Sequence, residues 1–200
     1  MENKLPDAVN KLLCAARTGN ADVVQWLLTQ GVHVDSKDEH GWPSLLIAAE
    51  YGHTEVVDVL VTGGADVTVR DGYGNTTLMI ASRRHNLETV RLLLDHGADI
   101  HMHDDQGTTA LHLAAIWSGP PETLRLLLEK GADANRQQST GNTALMSAVW
   151  TVQIEKIKAL LAYGANINLK DDEGRDALMM AQRRLDIYGV EAILREASAE

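Results

Sequence analysis

Histidines and carboxylates lie most densely together at His101, His103, Asp104 and Asp105. On an extended backbone His101 and His103 point the same way, and two imidazoles plus a carboxylate form a donor set that zinc accepts. No second cluster completes the coordination, so the reading is of no metal site. Cys14 is the single cysteine. It cannot form an intrachain disulfide, and its place next to Ala15 and Ala16 on an apolar segment predicts a buried, inert thiol. Phosphate loops, dinucleotide-binding glycine patterns, HExxH and GxSxG are all missing from the sequence. The residues therefore point to a protein that is not an enzyme and uses no cofactor.

Bulk charge narrows the remaining classes. The formal net charge is −10, whereas binding to nucleic acid or an anionic membrane depends on clustered Lys and Arg. Neither partner class is expected. The N-terminal residues lack the apolar stretch of a signal peptide, and no apolar run reaches the roughly 18 residues that span a bilayer. The chain reads as soluble, cytoplasmic and monomeric by itself. With no Phe in the sequence, the core must be built from Leu, Ile, Val, Ala and Met.

The elements that organise these side chains follow a repeat. Gly64, Gly97, Gly131 and Gly164, each followed by Ala, recur at 33 or 34 residues, with Gly31-Val32 one period earlier. Gly41, Gly74, Gly107, Gly141 and Gly174 keep the same step. Between these markers comes a Leu with an Ala three residues on, as in Leu45/Ala48, Leu78/Ala81, Leu111/Ala114 and Leu145/Ala148. That spacing shares one face of a short helix. A second apolar pair about a dozen residues later, such as Leu60-Val61 or Leu127-Leu128, marks a second amphipathic helix. Thr76, Thr109 and Thr143 precede first helices where a hydroxyl can cap, and Asn10 and Asp176 can do the same. The Gly of each Gly-Ala pair can end the second helix in a left-handed conformation. Met79, Met146 and Met179 occupy equivalent sites and are read as core fillers, as is Trp26. The added residue of the fourth repeat falls in IWSGPPETL, where Pro121 can start a helix and Gly119-Pro120 lengthen the preceding turn.

A unit of turn, helix and helix carrying DQGTTALHLAA, LRLLLEKGADAN and YGHTEVVDVLVTGGADV resembles the ankyrin repeat over almost the whole chain. The expected fold is an all-α repeat solenoid, with helix-turn-helix pairs and β-turn or hairpin arms. It comprises six repeats at 5–37, 38–70, 71–103, 104–137, 138–170 and 171–200, forming one domain over 1–200. The first and last repeats depart from the pattern and are read as polar caps. Thr-Pro, usual in the family, is intact nowhere, and Pro43-Ser44 lacks the capping hydroxyl. The family's first-helix His, a structural hydrogen-bonding residue, survives only as His112.

The resemblance implies a concave groove, lined by turn tips and first-helix ends, that binds another protein. Its positions here include Trp42, Tyr51, Tyr73, Arg83, Arg84, Asp105, Trp117, Trp150, Arg183 and Arg184. Five of the eight Trp and Tyr residues fall among them, and Trp, Tyr and Arg dominate binding hot spots. Acidic turn residues such as Asp38, Asp71, Asp104 and Asp171 either select a charged partner or serve the local backbone. Two functions fit: a protein-interaction module, or a dedicated inhibitor or immunity protein that occludes one enzyme. The fold does not choose between them.

Overall fold

The computed structural model describes residues 4–183 and 188–198. Among them twelve helices form, with only isolated β-bridges besides. The first members of the pairs are α1 (Lys4–Thr18), α3 (Ser44–Tyr51), α5 (Thr77–Arg83), α7 (Ala110–Ile116), α9 (Ala144–Trp150) and α11 (Ala177–Gln182). The second members are α2 (Ala21–Thr29), α4 (Thr54–Thr62), α6 (Leu87–Asp95), α8 (Glu122–Glu129), α10 (Ile154–Ala162) and α12 (Tyr188–Ala197). The architecture is the all-α repeat type that the period predicts.

Contacts divide the chain into two compact units, 1–99 and 100–200. In the N-terminal unit α1, α3 and α5 pack side by side as one layer, and α2, α4 and α6 as another. The C-terminal unit repeats the plan, with α7, α9 and α11 in one layer and α8, α10 and α12 in the other. Helices of two turns are marginal alone and are held by burial of their apolar stripes. Leu45, Leu78, Leu111 and Leu145, with Ala48, Ala81, Ala114 and Ala148, are all buried.

Capping fixes the helix starts. The hydroxyls of Thr76 and Thr143 accept the N–H groups of Met79 and Met146, and the Asp176 carboxylate accepts that of Met179. Thr109 departs from this, its hydroxyl engaging the ring of His112. Pro43 begins α3 with no side-chain cap. Asn10, expected as a cap, instead lies inside α1, which begins at Lys4. The glycines that follow α4, α6, α8 and α10 are left-handed, as the C-cap requires.

The turns hold themselves together. The Asp38 N–H donates to the Trp42 carbonyl, and the Asp38 carboxylate accepts the N–H groups of His40 and Trp42 at 3.0 and 2.9 Å. Asp71, Asp104 and Asp171 do the same in their own turns. These carboxylates are committed to the backbone, which favours the local reading of the acidic turns. In the C-terminal unit the turns are also joined to each other: Ser139 N–H donates to Gln106 O at 2.8 Å and Asp172 N–H to Thr140 O at 3.0 Å.

Three expectations about burial fail. Trp26 is 57% exposed, Met179 is 43% exposed, and Cys14 is exposed too. All three sit on the outermost described helix pairs. The equivalents of Cys14 in the next two pairs, Ile47 and Ile80, are buried, and those of Trp26 run from half-buried Val59 and Leu92 to buried Leu126 and Ala159. Met79 and Met146 are buried as expected. No described helix pair covers the outer sides of the first and last pairs, so the same register position is open there and the end faces are not wholly polar.

Candidate functional site

Side chains from first helices and turns converge on the same space in each unit. In the C-terminal unit they enclose an open cleft of about 490 Å³. Met146 and Ser147 on α9 and Met180 on α11 form its buried floor. Ile116 at the end of α7 and Trp150 at the end of α9, 40% and 58% exposed, form its rim. Gln138, Asn142 and Arg175 come from the turns, and Arg183 follows α11. In the N-terminal unit a hollow of about 440 Å³ lies between α1 and the first turn, lined by residues that include Leu13, Cys14, Arg17, Lys37 and His40.

Two buried basic groups tie backbone carbonyls of the C-terminal unit, and one of them holds a residue that lines the cleft. The His112 ring is nearly inaccessible at 1% exposure. Its Nδ1 accepts the Thr109 N–H at 3.3 Å, so the proton sits on Nε2, which donates to the Asn142 carbonyl at 3.3 Å. Burial pushes its pKa down to about 4, and the imidazole is neutral at pH 7. Through this bond α7 holds the turn that lines the cleft. Lys156 on α10 is also buried, and its Nζ donates to the Trp117 carbonyl at 2.6 Å. Burial lowers its pKa to about 8.

The bond from Lys156 answers the added residue of the fourth repeat. α7 ends with Trp117 in an extended conformation, φ −80° and ψ 143°, whereas α3 ends in left-handed Gly52. The Trp117 carbonyl therefore accepts from outside its own helix pair. In the four pairs before it the position of Lys156 is held by Val23, Val56, Thr89 and Thr123.

The guanidinium groups of the C-terminal unit differ in their partners. Arg175 is engaged by the Asp171 carboxylate at 2.7 Å and by Glu173 at 2.6 Å. Burial would raise the Asp171 carboxyl, but hydrogen bonds from the Arg175 backbone and side chain outweigh it and hold the pKa below the usual value. Arg183 makes no ion pair among the described residues.

Of the residues singled out from sequence, Trp150 and Arg183 meet at the cleft. Trp117 is 53% exposed and follows Ile116, and Asp105 is exposed on its turn. In the N-terminal unit Tyr73 is exposed at a turn tip, and Tyr51 stacks on His53 with ring centroids 6.4 Å apart. Trp42 is only half-buried, its N–H held by Asp38. Arg83 donates to Glu50 Oε2 at 2.6 Å while Arg84 takes Oε1. Arg184 lies outside the described residues. Met146 and Met180 are not expected at a site, and the bond from Lys156 to the Trp117 carbonyl lies beside the cleft lining, not in it. The floor methionines share the register of core positions, but a lysine in a column of Val and Thr is a signal that sequence alone carries.

Paired helices stacked behind self-bonded turns define a helical repeat protein. The chain belongs to the ankyrin-repeat family: the pattern described as ankyrin repeats (3 copies) matches residues 2–71, 64–138 and 118–200. No curated protein matches the chain. Ankyrin repeats are in general protein–protein interaction modules and typically non-catalytic. No helix of the described residues is long and apolar enough to cross a membrane.

Proposed function

We propose that this chain is a non-catalytic module that binds a partner protein on the side shared by its first helices and turns. What carries the reading is the C-terminal cleft, where an exposed Trp, an exposed Ile, two methionines and an arginine converge on one concave space. Clefts of ~300–1,000 Å³ lined by apolar groups with a few placed polar ones are the usual form of a pocket that takes a group of side-chain or small-molecule size. Trp and Arg are also the residues whose truncation costs most at interfaces. Contiguous exposed apolar surface on a chain of this charge has a use.

The experiment compares the intact chain with the Trp117→Ala, Trp150→Ala double variant as baits against extract of the source cells. Both side chains are more than half exposed, so the far-UV spectrum stays unchanged. The expected result is loss of a partner from the double variant. An identical set of captured proteins would place binding elsewhere on the molecule.

A further inference from the structure

We propose that the C-terminal cleft takes an extended peptide segment of a partner protein in which a large apolar side chain stands one or two residues from an Asp or Glu. This rests on the protein-binding reading above and names the chemistry of the partner. The apolar side chain lies over Met146 and Met180 against Trp150, and the carboxylate reaches Arg183.

The argument is one of charge complementarity within a single unit. Four of the five turns begin with an aspartate: Asp38, Asp71, Asp104 and Asp171. Of the two turns that line the cleft, the one at 138–142 does not. It reads Gln138-Ser139-Thr140-Gly141-Asn142, with no charged residue. Its backbone closes without the aspartate, Gln138 N–H donating to Asn142 O at 2.9 Å, while the Gln138 amide donates to Thr108 Oγ1 at 3.1 Å. In a chain of net charge −10, acid is thus missing from the turn that precedes α9, and in the other lining turn Asp171 and Glu173 are matched by Arg175.

The two arginines of the cleft then divide the work. The charge of Arg175 is matched by Asp171 and Glu173, so it serves as a wall. Arg183 is exposed and has no carboxylate partner among the described residues. A guanidinium offers a planar fork of donors that a carboxylate accepts in two parallel bonds. The apolar floor supplies affinity and the single cation supplies choice between partners.

The test is selection of a displayed random dodecapeptide library on the full chain, followed by affinity measurement with the selected peptides in free solution. Enriched sequences should share an aromatic or aliphatic residue within two positions of Asp or Glu. Arg183→Glu and Trp150→Ala should each weaken binding by about tenfold or more, the size of a hot-spot loss. Replacing the acidic residue of the peptide by Lys should restore binding to the Arg183→Glu variant. Enriched peptides without an acid, or affinity indifferent to Arg183→Glu, would overturn the proposal. So would a library that yields no binder, and the capture experiment above still decides protein binding at large.

Discussion

In the N-terminal unit the turn at Gly41 closes on itself, and a methyl group added there would meet no atom within 4 Å. In the C-terminal unit the turn at Gly141 is pressed against the next one, where an added Cβ would lie 2.7 Å from Asp171 Cα and 2.9 Å from Asp172 N. The same contrast runs through the charged groups. Arg83 and Arg84 are both held by Glu50, whereas Arg183 is left without a described partner beside an apolar cleft. One repeat plan thus supports two surfaces. The C-terminal unit ties its turns into a fixed row with Arg183 exposed beside it, and the N-terminal unit leaves a turn separate and pairs Arg83 and Arg84 with Glu50.

The largest effect tests the row of turns. Both glycines are left-handed, φ 80° at Gly41 and 75° at Gly141, so alanine at either position costs about 1 kcal/mol of backbone strain. At Gly141 the neighbouring backbone cannot move aside as a flexible side chain can. Gly141→Ala should therefore cost roughly 3 kcal/mol or more in urea denaturation, and Gly41→Ala about 1 kcal/mol. Equal costs would mean that the C-terminal turns are no more fixed than the N-terminal one.

His112 provides the next contrast, since Leu46 and Met79 stand at its position in the N-terminal unit. Its folded pKa, about 4, lies below the ordinary value near 6.5, so the unfolded chain binds the extra proton. The stability it provides is complete above pH ~6.5 and is lost as pH falls toward 4. Between pH 7 and 5 the loss should be about 2 kcal/mol. His112→Met, which copies Met79, should remove that part of the acid sensitivity. Parallel pH profiles for the two proteins would show that His112 is not held neutral by the fold.

The helix pairs and their caps were legible because they depend on local chemistry: the Leu/Ala spacing, the capping Thr residues, the glycines after second helices. Burial was legible only where each repeat has neighbours on both sides. Cys14, Trp26 and Met179 were assigned by analogy to inner repeats and are exposed because no described pair covers them. The cleft was half legible. Trp150 and Arg183 follow from their register, but the pairing of Glu50 with two arginines some 33 residues on depends on how α3 and α5 stack. Lys156 and the Trp117 carbonyl meet across 39 residues because one added residue changed how α7 ends, and periodicity cannot supply that partnership.

A smaller effect concerns the bend between paired helices. Left-handed Gly52 makes it between α3 and α4, His85, at φ 54°, between α5 and α6, and Val152, at φ 58°, between α9 and α10. A β-branched residue is poorly suited to that conformation. Val152→Gly relieves the strain but frees the unfolded chain, and the net gain should be about 1 kcal/mol. A loss of stability on this substitution would mean that packing of the Val152 side chain outweighs its backbone strain.

The smallest effect on stability should come from Glu50, yet it reaches furthest into the comparison. Its carboxylate is partly exposed and bridges two arginines that are 30% and 50% exposed. Ion pairs at such surfaces contribute ~0–1 kcal/mol, so Glu50→Ala should shift the urea midpoint only slightly. What changes is the charge that the N-terminal unit presents: Arg83 and Arg84 lose their shared carboxylate. If pairing is what distinguishes these arginines from Arg183, the Glu50→Ala chain should bind acidic peptides at a second, salt-sensitive site that vanishes when Arg83 and Arg84 are also replaced by Gln. Titration calorimetry would show the added site as a second transition. A stability loss above ~2 kcal/mol with no second site would instead make Glu50 a strut between α3 and α5, and the two units would differ in packing and not in the cations they leave available.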